Sequence, residues 1–146
     1  MRMLSTLLIL VGVLAGSSAA HAQSEAPYRV VVNAANPVSS LTREQVSRLF
    51  LKKVTRWNDG KGVALVDQAE DASVRRVFTK TVHGREISSV KSYWQQMIFS
   101  GRAVPPPEKA TDADVISFVS SNVNAIGYVS ASAPIATGVK AIPIVN

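Results

Sequence analysis

The chain has 146 residues, no cysteine, 47% apolar and only 6% aromatic residues, and 16 Lys plus Arg against 10 Asp plus Glu, a formal net charge of +6 at pH 7. This composition fits one small globular domain and excludes a disulfide scaffold, a disordered tail and a multidomain enzyme. The positive excess is mild, suited to phosphate, anionic lipid or nucleic acid and equally to a soluble protein kept away from zero charge.

Met1 to Ala22 reads as a secretory leader: Arg2 in front, an apolar run from Leu4 to Leu14, then small residues ending in Ala20-His21-Ala22. The run is too short for a spanning helix, which needs roughly 20 apolar residues. Cleavage after Ala22 is therefore expected, with a mature domain over 23–146, and no later stretch is apolar for long enough to anchor in a membrane. Without cysteine there is no thiol for acylation at the mature end, so the expected location is periplasmic or secreted, with stability drawn from a packed core.

Tyr28 to Val32 is β-branched and apolar without alternation, the pattern of a strand covered on both faces, as in a parallel sheet. Thr42 and Gln45 have capping-box spacing, and Leu41 and Val46 occupy the staple positions, so a helix is predicted over Thr42 to Leu51 with Val46, Leu49 and Phe50 on its buried stripe. Lys52 to Gly60 is a connector ending in the turn sequence Trp57-Asn58-Asp59-Gly60. Val63 to Val66 reads as a second buried strand. Asp71 is placed to cap a helix carrying Val74, Val77 and Phe78, fading near His83-Gly84. A longer helix is predicted from Ile87 to Phe99, with Ile87, Val90, Trp94, Met97 and Ile98 on one face, stopped by Ser100-Gly101. Pro105-Pro106-Pro107 makes Arg102 to Ala110 a surface loop. Thr111 and Asp114 repeat the capping spacing before a helix over Asp112 to Ser121. Ala125 to Val129 and Val139 to Val145 are strands, the second at an edge because of Pro143. Strands alternating with helices give an α/β domain with a mainly parallel or mixed sheet flanked by helices.

The inventory argues against familiar catalysis. After the leader, His83 is the only histidine, and with no cysteine there is no cofactor or metal set. His83, next to a glycine, reads as a solvated turn residue. No Gly-x-Ser-x-Gly is present to supply a nucleophile, and Asp112 and Asp114 read as helix-capping carboxylates. Nucleic-acid binding would need cations interleaved with exposed aromatics, whereas Tyr93, Trp94 and Phe99 read as core. An anion site is the better candidate. Asp67 to Ser73 links a strand to a helix, where free N–H groups attract oxyanions, and Gln68, Ser73, Arg75 and Arg76 offer polar or charged side chains against the opposing Glu70 and Asp71. Asn33, Ser39 and Ser40 lie beyond the end of the first strand, where open α/β sheets bind ligands; turn formation and capping explain them as well. Trp57 and Tyr128 read as packing residues.

The ordered set Val30-Val31-Val32-Asn33, Leu41-Thr42-x-x-Gln45-x-x-x-Leu49-Phe50, Lys53-x-x-x-Trp57-x-Asp59-Gly60, Phe78 and Ala125-Ile126-Gly127-Tyr128-Val129 resembles one lobe of the phosphate-binding proteins that serve ABC phosphate importers. The resemblance runs from about Val30 to Val145 and implies a type II periplasmic-binding fold and a non-enzymatic solute-binding role. Two departures stand out: those proteins close two lobes on phosphate, and their second lobe grips it with an Arg followed by Ser-Gly-Thr. Counting back from Phe78, the resemblance puts Gln68 at the Arg position and Ala72-Ser73-Val74 at the Ser-Gly-Thr. Shifted by one residue, it leaves Ser73-Val74-Arg75 there. Either way the charge-assisted grip is weakened, at a cost of at least about tenfold in affinity. The ligand-binding candidates are thus Gln68, Ser73, Val74, Arg75, Asn33, Ser39 and Ser40. The expected function is weak binding of phosphate or a similar oxyanion, in partnership with an importer permease. The alternatives are a ligand-less adaptor for another envelope protein and a homodimer rebuilding the cleft from two copies.

Overall fold

The computed structural model describes residues 26–146, so the expected leader lies outside the described residues. The first strand, β1 (Tyr28–Asn33), is followed by the two-residue β2 (Leu41–Thr42) and helix α1 (Arg43–Phe50). Thr42 caps α1 as its spacing predicts: its hydroxyl accepts from the Gln45 N–H at 3.1 Å, and the Gln45 side chain accepts from the Thr42 N–H at 2.8 Å. The helix ends with Lys52 in the left-handed region at φ 52°.

The expected Val63–Val66 strand is present as the shorter β3 (Ala64–Leu65), and a second short strand, β4 (Asp67–Gln68), begins the segment expected to link strand to helix. Helix α2 (Ser73–Phe78) has Ala72 as its N-cap residue and no side-chain cap. Asp71 does not cap it, because the chain turns first, with the Ala72 N–H bonded to the Ala69 carbonyl at 3.0 Å, and Asp71 is left one residue outside the helix. The helix continues into a π-helical turn (Thr79–His83) that Gly84 ends at φ 64°. Helix α3 (Ile87–Phe99) matches its predicted span.

The polyproline loop leads into the short β5 (Glu108–Lys109), followed by α4 (Asp112–Ser120), β6 (Ala125–Ser130), β7 (Val139–Ile142) and β8 (Ile144–Val145). Thr111 caps α4 through the Asp114 N–H at 3.1 Å.

The main sheet has the order β3-β6-β1-β7 and is mixed. β1 runs antiparallel to both neighbours, and only the β3–β6 pair is parallel. The unbroken apolar run of β1 therefore reports cover on both faces rather than strand direction. Tyr28, Val30, Val32, Ile126 and Tyr128 pack on α1 and on the α2 segment through Val46, Leu49, Phe50, Phe78 and Val82. The alternate residues Val31, Ala125 and Val129 pack on α4 through Val115, Ile116 and Val119. Gly127 lies beneath α4, where an added Cβ would sit 2.8 Å from both Val115 Cγ1 and Val66 Cγ1.

Helix α3 forms a satellite with Leu51 through Val90 and Trp94. Its C-terminal end departs from the expected core: Phe99 is 95% exposed and Ile98 52% exposed. The periodicity carries the stripe to the end of the helix, but Leu51 covers only its middle. Among the described residues no helix is long and apolar enough to cross a membrane.

Candidate functional site

The seven candidate residues fall into two groups at opposite ends of the sheet. Asn33 ends β1, which runs antiparallel to β6, with Val32 opposite Ile126. β3 runs parallel to β6, with Leu65 opposite Ile126, so the chain that follows it reaches the other end, near Ser130. One small ligand cannot touch both groups.

At the Asn33 end the side chains serve the fold. Asn33 is buried, and its amide donates to the carbonyls of Val119 and Ser120 at 3.0 and 3.1 Å, closing the C-terminal end of α4. Its Oδ1 accepts from the Ala35 N–H at 2.9 Å, an Asx turn. Ser39 and Ser40 are exposed on the loop before β2.

At the other end, Gln68, Ser73, Val74 and Arg75 come together in the β4–α2 corner. Gln68 is buried, and its amide donates to Asp112 Oδ1 at 2.8 Å and to the Tyr128 carbonyl at 3.1 Å. Asp112 Oδ1 also accepts from the Ser130 N–H at 3.1 Å, so this carboxylate ties α4 to β6 rather than acting only as a helix-end charge. Ser73 is exposed and Val74 half-buried.

Arg75 is 7% exposed and carries the positive charge of the corner. Its Nη1 donates to the Gln68 carbonyl and to Glu108 Oε1, both at 2.6 Å, and its Nε stands 3.6 Å from Asp67 Oδ1. The guanidinium therefore already has two carboxylates of its own chain. The parallel β4–β5 pair places Glu108 opposite Asp67 and thereby beside Arg75. The Glu108 side chain is 44% exposed, so this partner is open to solvent.

Burial shifts the charges in this corner. Asp67 is pushed above its usual carboxylate value because burial outweighs the attraction of Arg75 and the hydrogen bond donated by the Tyr128 hydroxyl. Burial lowers Arg75, but Asp67, Glu108 and Tyr128 more than offset that and hold its proton. Tyr128 is raised by burial and by Asp67, so it stays a neutral donor. Its ring stacks on Phe78 at 3.7 Å between centroids, which gives it the packing role expected of it.

His83 corrects an expectation. It is half-buried in the π-helical turn, its Nδ1 is 2.8 Å from the Ser47 hydroxyl, and its ring meets Phe78 edge to face. Burial, with Arg85, Arg75 and Lys53, lowers it to about 4. The flanking Gly84 suggests a solvated turn, but the turn is packed against α1. Among the described residues no group of three His, Asp or Glu side chains converges as a metal set.

Glu108 and Tyr128 do not stand out in the sequence as members of this corner, and Asp67 marks only the start of its linking segment. Glu108 lies in a proline-rich loop with no strand signal, and only the long-range β4–β5 pairing brings it to Arg75.

A family model described as a PBP superfamily domain matches residues 26–142. The chain belongs to that family. Its fold is similar to an ABC-type phosphate transport receptor from Vibrio cholerae, with 24% identity and a TM-score of 0.64 over 81% of this chain and 46% of that one. It is similar also to a structure with bound phosphate from Clostridium perfringens, described as a phosphate ABC transporter substrate-binding protein, with 22% identity and a TM-score of 0.65 over 81% and 44% of the two chains. PstS from Borrelia burgdorferi shares 10% identity with a TM-score of 0.55 over 81% and 47%. No curated protein matches the chain. The chain thus spans less than half the length of these structures, and its architecture is a single lobe of the type II binding-protein class.

Proposed function

We propose that this PBP-superfamily chain works as a non-enzymatic extracytoplasmic solute-binding lobe, exported by cleavage after Ala22, whose ligand is phosphate or a similar oxyanion held weakly. The observation that carries the reading is the β4–α2 corner. The fold-level similarity to phosphate-binding structures covers 81% of the chain, and this corner holds a guanidinium whose outer partner, Glu108, is accessible, with Ser73 exposed at the start of the same helix. An oxyanion reaching Arg75 must displace Glu108 and face Glu70 and Asp71, so affinity is low. Importer permeases are the partners this role requires.

Calorimetry of the protein with phosphate, sulfate and arsenate tests the reading. Saturable heat at millimolar ligand supports it, and a folded sample that gives none removes the solute-binding role.

The full engagement of Arg75 by Glu108, Asp67 and the Gln68 carbonyl favours a second reading, a ligand-less adaptor in the cell envelope. Recovery of one stoichiometric envelope partner, together with no heat from phosphate, decides for it.

A further inference from the structure

We propose that the cavity between the β1–β2 loop, α1 and the connector after it is a separate binding site for a small carboxylate with a flat apolar body. The cavity is an open cleft of about 450 Å³, within the range of roughly 300–1,000 Å³ typical of small-ligand sites. It lies at the Asn33 end of the sheet, away from Arg75, so it stands whether or not the oxyanion reading holds.

Leu41, Leu49, Val54 and Trp57 supply its apolar lining. The Trp57 indole N–H donates to the Asn124 carbonyl at 3.0 Å, which fixes the ring as a rigid wall. Asn36 is buried beside it with both ends of its amide satisfied, by the Val38 N–H at 3.0 Å and the Val123 carbonyl at 3.1 Å. The cavity is thus formed before any ligand arrives, which lowers the cost of binding.

Arg48 and Arg56 line the same cavity and are exposed. Among the described residues the Arg48 side chain has no hydrogen bond or ion pair, and Arg56 donates only to the Gly60 carbonyl, at 2.8 Å. Asp59, the one acid lining the cavity, is occupied by the Lys61 N–H at 3.0 Å and by Lys61 Nζ at 3.9 Å. Two available guanidinium forks beside an apolar wall match a carboxylate, which accepts such forks in pairs, carried on a hydrophobic ring. Bare phosphate would leave the apolar wall unused. The motif residues Leu41, Gln45, Leu49, Trp57 and Asp59 all line this cavity, and none takes part in the Arg75 network.

The test is an NMR titration of the intact protein with benzoate, following the two indole N–H signals, assigned with Trp57→Phe and independently with Trp94→Phe. Benzoate is expected to move the Trp57 signal saturably at millimolar concentration and to leave Trp94 in place. Arg48→Gln, an exposed substitution, should weaken this by about tenfold or more, and benzyl alcohol, the same ring without the charge, should bind correspondingly less well. A Trp57 signal that does not move, an Arg48→Gln variant with unchanged affinity, or benzyl alcohol equal to benzoate would each overturn the proposal. A short peptide with a free C-terminus that moves Trp57 where benzoate does not would also overturn it, in favour of a polypeptide occupant. Phosphate is expected to leave the Trp57 signal in place, so failure of the oxyanion reading, seen as no heat from phosphate, is distinguishable from failure of this one, seen as no shift of Trp57 with benzoate.

Discussion

Three side chains carry measurable consequences of their surroundings. His83 is held at about 4 by burial and by Arg85, Arg75 and Lys53, against an ordinary value of 6.5. Between these values the unfolded chain takes up a proton that the folded chain refuses. The stability tied to a neutral His83 is therefore complete above about pH 6.5 and falls as pH drops toward 4, by about 3 kcal/mol. Asp67 acts the other way, since a carboxyl raised by folding costs stability above its unfolded value. The difference between wild type and His83→Gln isolates the histidine: urea unfolding from pH 7 to pH 4 should show a smaller acid loss in the variant. At Glu108 the expected change is in binding. Glu108→Gln removes the exposed partner of Arg75 without removing the buried Asp67, and should strengthen phosphate binding about fivefold, the scale of a partly solvated ion pair, as read by calorimetry.

At the level of elements, α4 and β6 approach more closely than a side chain would allow. A Cβ at Gly127 would sit 2.8 Å from two valine methyls, one on Val115 of α4 and one on Val66 between β3 and β4, and both valines are fully buried. Gly127→Ala should cost about 1–3 kcal/mol in thermal or urea unfolding, and Val115→Ala in the same chain should recover part of it. The capping signals were the most legible features of the chain: Thr42 with Gln45 and Thr111 with Asp114 sit where they were expected, because a cap is satisfied within four residues. The α2 segment was less legible. Its start is set by a turn at Ala69–Ala72 and its π-helical end by packing on α1, so Asp71 and His83 took roles their neighbours in sequence did not announce.

At the scale of the whole molecule, one lobe covers less than half of the chain of each of its structural relatives. Light scattering at micromolar concentration should give the mass of one chain with and without phosphate. A mass that doubles only when phosphate is added would show two copies closing on one anion. The candidate site was partly legible at this scale. Gln68, Ser73, Val74 and Arg75 do share one corner, being close along the chain. Asn33, Ser39 and Ser40 are at the far end of the sheet, because strand direction separates them.

What depends on neighbours a few residues away, the sequence alone determined: the caps, the span of α3, the two-sided burial of β1 and the ordered motifs of a binding-protein lobe. What depends on which distant segments meet, only the tertiary structure decided. The antiparallel neighbours of β1, the Glu108 carboxylate on Arg75 and the Asn124 carbonyl that holds the Trp57 indole all come from contacts between segments far apart in sequence. Such contacts are fixed by the joint packing of whole elements, and no local pattern encodes them.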